Sequence, residues 1–379
     1  MQPTVHEFEY NPRSPVTPGC SFLEIARPDA PFRCEKGGVL RNAVIAYETW
    51  GESDASRPNT IWICPSLSVS SHVAESARNR DEGWWDKLVG PGKAVDTARW
   101  FVVCSNLLGG CYGSTGPAST DPGTGVHYGT EFPELTIRDL VHAQKKLMDG
   151  LGIRRLRAVI GGSMGGMQVL EWGRLYSNAM DLLIPIAAGA AASPRSIALR
   201  SIQRDIVRSD PDWRDGNYYD SGPPVRGMSL ARKLGMVTYR SYEEFWERFG
   251  RNRKEYRFEI EHYLEHVAQK FAHSFDTNSY LTLSHAMDSH DLADGMTGCD
   301  YRQRLDSGIR AVKPPSLIVS MRNDELFPPV EQQYLHRVRV EAGLPGKLQE
   351  IPVVTGHDGF LAEAELMQDA ISNFLNNGL

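Results

Sequence analysis

The chain has 379 residues, with 41 lysines and arginines against 47 aspartates and glutamates, which gives a formal net charge of −6. Hydrophobic residues make up 41% of the chain and charged residues 23%, as in ordinary globular proteins. This mildly acidic balance argues against a protein that binds nucleic acid non-specifically, because such binding needs an excess of lysine and arginine. It leaves room for a small anionic ligand.

The start of the chain and its cysteines bear on location. Residues 1–10 contain no basic start followed by an apolar run, so we expect no signal peptide. No stretch of about 18 apolar residues occurs, so we expect no membrane span. The six cysteines form no C-x-x-C pair, which favours reduced, buried thiols over a zinc ribbon or a disulfide framework. We therefore expect a cytoplasmic protein.

Short apolar runs rich in valine and isoleucine predict the strands of a buried sheet. In chain order they are Asn42–Thr49, Thr60–Cys64, Trp100–Ser105, Arg157–Ile160, Leu182–Ala187, Pro315–Ser320 and Leu348–Val353. Between the third and fourth runs, an amphipathic pattern predicts a helix from Ile137 to Leu151, with Thr136 and Asp139 as its N-terminal capping box. Strand, helix and strand in this order indicate a βαβ unit and a parallel sheet.

The region from 191 to 305 has a different pattern. Strand-like runs are scarce there, and helices are predicted over Ile197–Arg208, Arg226–Leu234, Tyr242–Phe249, Phe258–Phe271 and Tyr280–Met287. The alternation of strands and helices returns after residue 313. We therefore predict an α/β core made of residues 1–190 and 306–379, with a helical insertion over 191–305.

The segment around Ser163 is the most informative one. An apolar run, the sequence Gly161-Gly162-Ser163-Met164-Gly165 and an amphipathic helix follow one another. This context is typical of a nucleophile elbow, a strained turn that lifts a serine hydroxyl clear of the sheet. The flanking glycines allow strand and helix to approach closely. The backbone N–H of Met164 would then point into an oxyanion hole.

A nucleophile elbow predicts an acidic residue and then a histidine further along the chain. Asp324 and His357 each follow one of the last two strand-like runs. From these positions Asp324 can orient the imidazole of His357, which can take the proton of Ser163. The loop after the second run predicts the other oxyanion donor, for which Leu67 is our candidate.

Several longer motifs resemble the homoserine O-acetyltransferase family of α/β-hydrolase-fold acyltransferases over nearly the whole chain. They are Gly83–Asp86, Gly90–Thr97, Gly109–Pro117, Gly162–Gln168 and Gly356–Leu361. The resemblance implies an α/β-hydrolase fold, with a mostly parallel sheet flanked by helices and a helical lid. It also implies that acetyl-CoA acylates Ser163 and that the hydroxyl of L-homoserine then takes the acyl group, in methionine biosynthesis. A homodimer without a permanently bound cofactor completes the expectation.

The resemblance further implies an acceptor pocket. Arg204 matches the family residue that grips the substrate carboxylate, Asp358 matches the one that binds the ammonium group, and Tyr239 matches a pocket tyrosine. These roles suit a zwitterionic amino acid, which needs one cation and one anion at a fixed separation.

The identity of the two substrates stays open. The loop Cys64–His72 looks more like relatives that acylate serine in cysteine biosynthesis, whereas Gln168–Trp172 looks like the homoserine enzymes. Serine and homoserine differ by one methylene, which is worth only about 1–3 kcal/mol in a pocket. Succinyl-CoA is the alternative donor.

Three other functions compete with acyl transfer. A hydrolase or thioesterase would use the same triad with water as acceptor, and the difference lies in how well the lid excludes water. A non-catalytic binding protein of this fold would usually have lost a member of the triad. Residues 262–266 match the H-x-x-E-H zinc pattern, but they lie in an ordinary amphipathic stripe without an evident third ligand. We therefore predict no metal site.

Overall fold

The computed structural model describes residues 16–54 and 56–378. Residues 1–10, which carry the expectation about a signal peptide, lie outside these ranges. The strands within them are β1 (Ser21–Ala26), β2 (Phe32–Arg33), β3 (Val39–Leu40), β4 (Ala43–Trp50), β5 (Thr60–Cys64), β6 (Phe101–Ser105), β7 (Leu156–Gly162), β8 (Met180–Ile186), β9 (Arg253–Lys254), β10 (Arg257–Phe258), β11 (Ser316–Met321) and β12 (Gly346–Ile351).

The α-helices in the same ranges are α1 (Ile137–Gly150), α2 (Met164–Leu175), α3 (Pro194–Arg208), α4 (Val225–Tyr239), α5 (Tyr242–Phe249), α6 (Glu259–Ser274), α7 (Thr277–Asp288), α8 (Tyr301–Ala311), α9 (Pro329–Glu341), α10 (Gly359–Ala362) and α11 (Gln368–Asn377). Three 3₁₀ helices cover Gly129–Glu131, Pro211–Gly216 and Ala364–Met367. The predicted capping box of α1 is present, because Thr136 accepts from the backbone of Asp139 and the Asp139 side chain accepts in return.

Eight strands form the central sheet in the order β1-β4-β6-β5-β7-β8-β11-β12. The pairs β1–β4 and β4–β6 are antiparallel, and all the others are parallel. Every residue of β5 and β11 is buried, which explains why these strands read as continuous apolar runs. The α/β-hydrolase fold with a mostly parallel sheet is confirmed.

Helices cover both faces of the sheet. Because successive side chains of a strand point to opposite faces, Trp62 and Cys64 of β5 pack into one hydrophobic cluster with residues of α1 and α2. Ile61 and Ile63 pack into a second cluster with residues of α11. The parallel strands β5, β7 and β11 thus bring their carboxyl ends to one edge, where loops can carry a site.

Five helices, α3 to α7, lie between β8 and α8 in the chain, and each overlaps a helix predicted from the sequence. Within this group α4 packs against α3 and α6, and α3 also contacts α7. The next helix, α8, crosses the predicted boundary at residue 305 and contacts α2 and α9. No helix in the described part of the chain is long and apolar enough to cross a membrane.

Candidate active site

Ser163 lies in the turn between β7 and α2, with φ 57° and ψ −122°. Such a backbone conformation is strained for a residue other than glycine and occurs mainly at functional sites. A Cβ atom at Gly161 would lie 2.6 Å from the backbone of Gly165, and one at Gly165 would lie 2.3 Å from the carbonyl oxygen of Cys64. The two glycines therefore permit the close packing of strand and helix that a nucleophile elbow requires.

The structure brings Ser163, His357 and Asp324 into one hydrogen-bonded chain. Nε2 of His357 lies 2.9 Å from Oγ of Ser163, and its Nδ1 lies 2.8 Å from Oδ2 of Asp324. The other carboxylate oxygen of Asp324 accepts from the backbone N–H groups of Leu326 and Phe327, at 2.9 and 2.8 Å. These two bonds fix the carboxylate, so that it can hold the imidazole in one orientation. All three side chains are buried.

The environment of His357 favours its charged form. Burial alone lowers the pKa of the imidazole, but the charge and hydrogen bond of Asp324, together with the charge of Asp358, outweigh it. The pKa of His357 is therefore raised above its ordinary value of 6.5. A raised pKa makes the neutral imidazole a stronger base toward the serine hydroxyl.

The two predicted oxyanion donors flank Ser163. Met164 is the first residue of α2, and Leu67 lines the cavity that contains Oγ of Ser163. Within the described residues, neither backbone N–H group donates to another group of the protein. Both are therefore free to bind a developing negative charge, as an oxyanion hole requires.

Buried hydrogen bonds tie the loop that carries Leu67 to the elbow. Oγ of Ser66 donates to the carbonyl oxygen of Gly162 at 2.8 Å. Nε2 of Gln168 donates to the carbonyl oxygens of Pro65 and Met164, at 2.9 and 3.0 Å. The position of the loop relative to α2 thus depends on side chains that do not themselves reach the nucleophile.

A second network fixes the far end of this loop. The backbone N–H of Ser71 donates to Oδ1 of Asn106 at 2.6 Å, and its hydroxyl donates to Glu48 at 2.8 Å. The same carboxylate pairs with Nδ1 of His72 at 2.9 Å. The loop from Pro65 to His72 is therefore held at both ends by buried polar contacts, which cost free energy to break.

The cavity next to Ser163 and His357 lies between the core and the helices α3, α4 and α7. Two of the three predicted acceptor-binding residues line it, Tyr239 and Asp358. The ring centroids of Tyr239 and His357 are 6.1 Å apart. Oδ2 of Asp358 lies 3.3 Å from Nε of Arg240, an ion pair that leaves the carboxylate at the cavity wall.

Arg204 departs from the prediction, because it is not among the residues that line the cavity. Its guanidinium group is buried and engaged, with Nη2 2.7 Å from Oδ2 of Asp288 and Nη1 2.9 Å from Oγ of Ser284. These contacts aim the guanidinium group of Arg204 at Asp288 and Ser284. The arginines at the cavity wall are Arg200 and Arg232.

Sequence reasoning missed these two arginines. Arg200 lies one helical turn before Arg204 on α3, so both share one face of the helix and their spacing alone could not separate them. Arg232 lies on α4, where its guanidinium carbon is 4.4 Å from the ring centroid of Phe271 and 5.4 Å from that of Tyr239. Such cation–π contacts hold an arginine without a carboxylate partner.

The H-x-x-E-H segment lies on α6. His262 is half-buried, and its Nε2 lies 3.3 Å from the carbonyl oxygen of Lys254. In the part of the chain that the structure describes, no three His, Cys, Asp or Glu side chains are grouped so as to hold a metal ion.

Comparisons with known proteins agree with this geometry. The alpha/beta hydrolase fold family matches residues 59–364, and the chain belongs to that family. A homoserine O-acetyltransferase from Moorella thermoacetica is 45% identical over 353 residues, which cover 90% of this chain and 92% of the relative. An L-serine/homoserine O-acetyltransferase from Streptomyces lavendulae is 42% identical over 371 residues, covering 95% and 98%. Within the hydrolase fold, the chain is a member of the homoserine O-acetyltransferase family of acyltransferases.

Solved structures of the same fold include both transferases and hydrolases. A homoserine O-acetyltransferase from Bacillus anthracis has a TM-score of 0.86 and 25% identity, covering 94% of this chain and 98% of its own. Esterase E22 has a TM-score of 0.84 and 27% identity, covering 94% and 100%. The fold therefore serves acceptors other than amino acids.

Proposed function

We propose that the protein is a homoserine O-acetyltransferase, which transfers the acetyl group of acetyl-CoA to the hydroxyl of L-homoserine in methionine biosynthesis. The observation that carries the proposal is the hydrogen-bonded chain of Ser163, His357 and Asp324 at a cavity with charged groups of both signs. A triad alone can serve water, but walls with guanidinium and carboxylate groups suit a zwitterionic acceptor.

In the first half-reaction Ser163 is the nucleophile. Its Oγ attacks the thioester carbonyl of the acyl-CoA while Nε2 of His357 takes the hydroxyl proton. The backbone N–H groups of Leu67 and Met164 bind the oxyanion of the tetrahedral intermediate. The C–S bond then breaks, His357 returns the proton to the thiolate, and CoA leaves as a thiol. Ser163 keeps the acyl group as an ester.

In the second half-reaction the acceptor hydroxyl replaces CoA. His357 takes its proton, the hydroxyl oxygen attacks the acyl ester, and the same two N–H groups bind the oxyanion. Collapse of the intermediate frees the O-acyl amino acid and returns the proton to Ser163. The two substrates thus react in turn, as in a ping-pong scheme, and the chain needs no permanently bound cofactor.

The acceptor is held by side chains of opposite sign. Asp358 adjoins the triad histidine in sequence and lines the cavity, so we assign it the ammonium group. Tyr239 also lines the cavity, with its ring close to that of His357. The cations at the cavity wall are Arg200 and Arg232, whereas the guanidinium group of Arg204 binds Asp288.

We further propose that residues 191–300 form the lid and the dimer interface, with α8 part of the core because it contacts α2 and α9. Of the fourteen large hydrophobic side chains that are exposed in the described residues, seven lie in this segment, among them Tyr242, Trp246 and Tyr256. The rings of Tyr242 and Trp246 stack with their centroids 6.3 Å apart, and adjoining exposed apolar side chains are typical of an interaction surface. The free cysteines of the described chain suit a cytoplasmic location.

Two alternatives have specific support. Serine as acceptor is favoured by the 42% identity to an L-serine/homoserine O-acetyltransferase. A hydrolase is favoured by the TM-score of 0.84 with esterase E22. Succinyl-CoA remains the alternative donor, since the acyl group is small in either case and both would use the same triad.

The test is release of free thiol from acetyl-CoA or succinyl-CoA, each with homoserine, serine or no acceptor, with the products identified by mass. We expect release from acetyl-CoA that depends on homoserine. Ser163→Ala should abolish release while the melting temperature stays near that of the wild type, because the substitution removes only a hydroxyl. Equal release without any acceptor would mean a thioesterase and would refute the proposal.

A further inference from the structure

His72 lies at the end of the loop that carries Leu67, and both of its ring nitrogens face oxygen acceptors. The residue is buried, with 6% of its surface exposed. Nδ1 lies 2.9 Å from Oε2 of Glu48 on β4, and Nε2 lies 2.9 Å from the carbonyl oxygen of Asp81. A carbonyl oxygen can only accept, so Nε2 must carry a proton. In a neutral ring, Nδ1 would then be an acceptor that faces a carboxylate.

A proton therefore has to lie between Nδ1 of His72 and Glu48. Imidazole is a stronger base than a carboxylate by about two pKa units in peptides, so the ring takes the proton and becomes an imidazolium ion. Burial lowers the pKa of His72, but the hydrogen bonds to Asp81 and Glu48 and the charges of Glu48 and Asp86 outweigh it, and the pKa is raised above 6.5. Geometry and surroundings thus agree on a buried ion pair.

The other titratable groups around this pair keep their charges near neutral pH. The thiols of Cys20 and Cys104 lie near the carboxylate, and burial raises the pKa of Cys20 to about 11 and that of Cys104 well above 9.0. Both thiols therefore stay neutral. The side chains of Arg78 and Asp81 are exposed, so water and salt screen their charges. Near neutral pH, the charge of this cluster therefore changes at His72.

The same carboxylate anchors the loop that carries the proposed oxyanion donor. The second oxygen of Glu48 accepts from the hydroxyl of Ser71 at 2.8 Å. Residues 66–69, which come directly before this anchor, line the cavity next to Ser163. The chain thus passes from the nucleophile to the ion pair within a few residues. A change at the pair therefore displaces the backbone that presents the N–H group of Leu67.

We infer that the imidazolium–carboxylate pair of His72 and Glu48 holds the loop from Pro65 to His72 where Leu67 can bind the oxyanion, and that loss of the His72 proton releases this hold. Both are positioning residues, because neither is among the described residues that line the cavity. The inference rests on the proposed function, because the step it concerns is formation of the acyl-enzyme from acyl-CoA.

The test is the pH dependence of the rate constant for the first turnover of CoA release, measured on the full-length protein with acetyl-CoA. His72 is charged below its raised pKa, so the pair is intact there and is lost as the pH rises through that pKa. The wild-type rate constant should therefore show an alkaline limb besides the acid limb of His357. It should fall by about tenfold along that limb, because a displaced oxyanion donor costs less than a deleted one.

His72→Asn removes the titration but keeps a donor for Glu48, because the amide nitrogen takes the place of Nδ1. We expect no alkaline limb in this variant, and a rate constant about tenfold below the wild type at neutral pH. Glu48→Gln removes the anion, so the alkaline limb should move to lower pH. His142→Asn is the matched control. His142 is a half-buried histidine on α1, with Nδ1 2.6 Å from the hydroxyl of Tyr176, and its replacement should leave the limb unchanged.

A purely structural role for His72 predicts a different result. In that case His72→Asn would lower the rate constant by one factor at every pH and keep the alkaline limb, which would overturn the inference. An unmoved limb in Glu48→Gln decides in the same way if the asparagine variant does not fold. A wild type without an alkaline limb, or a limb that is also lost in His142→Asn, would overturn it too.

Failure of the proposed function is distinguishable from failure of this inference. The ester p-nitrophenyl acetate can acylate Ser163 through the same oxyanion donors without CoA, and its leaving group needs no proton. If no acyl-CoA releases thiol but this ester gives a burst of nitrophenol, the proposed function fails, and the same pH profiles with the ester decide the inference. Release of neither product by the wild type would refute both.

Discussion

Replacing Gln168 with leucine should displace the loop from Pro65 to His72, which carries the proposed oxyanion donor Leu67, and leave the triad residues unchanged. Gln168 is fully buried, and its Nε2 donates to the carbonyl oxygens of Pro65 and Met164. Its Oε1 accepts from Nε2 of Gln144 at 2.6 Å. Leucine has a similar volume but makes none of these bonds. The carbonyl of Pro65, two residues before Leu67, then loses its contact with α2.

The expected loss of stability follows from the buried polar groups that the substitution leaves without a hydrogen-bond partner. In Gln168→Leu these are the carbonyl oxygen of Pro65 and an N–H of Gln144, since Met164 keeps its helical bond. At about 1–3 kcal/mol for each buried group, the free energy of unfolding should fall by about 2–6 kcal/mol. Loss of one oxyanion donor costs about 10²–10³ in kcat. A displaced rather than deleted Leu67 donor should approach the lower of these factors.

The assay is the single-turnover rate of CoA release, measured beside the unfolding free energy from denaturant titration. Gln144→Leu is the matched control, because it leaves a similar number of buried groups unpaired, the indole N–H of Trp172 among them, without touching the contact with Pro65. We expect both variants to lose similar stability, but only Gln168→Leu to lose about 10² in rate. Equal rate losses in the two variants would refute the positioning role.

Two further predictions concern the triad and the elbow. Because the pKa of His357 is raised above 6.5 and its neutral form is the base, kcat/KM should fall as the pH drops through that raised pKa. Asp324→Asn should move the midpoint of this pH–rate profile to lower pH and reduce kcat by about 10⁴; an unmoved midpoint would contradict the assigned cause. Gly162→Ala would place a Cβ 2.5 Å from the ring of Phe360. The free energy of unfolding should therefore fall by about 1–3 kcal/mol, which a lower melting temperature would report. Gly123→Ala is the control, because its Cβ would come no closer than 3.4 Å to Asp121, an ordinary contact distance. Its stability should stay within about 0.5 kcal/mol of the wild type, and equal shifts in the two variants would refute the steric argument.

The sequence predicts seven of the eight strands of the central sheet to within two residues. Strands such as β5, buried on both faces, must be apolar throughout, so their pattern is strong. The strand it misses, β1, lies at the edge of the sheet and is half exposed over four of its six residues. Helix α8 is missed for a similar reason, because only Gly308 and Ile309 are buried in it. Elements that are only weakly buried do not show a clear periodic pattern of apolar residues in the sequence.

For the site, the sequence identifies the three residues that the structure joins by hydrogen bonds. Each follows a parallel strand, and parallel strands end at one edge of the sheet, so the chain order of Ser163, Asp324 and His357 carries spatial information. The chain positions of Arg200 and Arg204 carry no such spatial information. They share one helix face, and their difference depends on Asp288, which lies 88 residues beyond Arg200. Contacts between distant elements decide which arginine faces the cavity.

Under the proposed function, core and lid have separate roles, which would let one fold serve both esterases and acyltransferases. The nucleophile, its base and both oxyanion donors come from the core, whereas Arg200, Arg232 and Tyr239 come from lid helices. In the proposed mechanism, the chemical groups that form the acyl-enzyme all belong to the core. The acceptor then competes with water, and binding energy from charged lid groups favours an amino acid over water in the second step. Substitutions in the lid should therefore change the ratio of transfer to hydrolysis more than the rate of acylation.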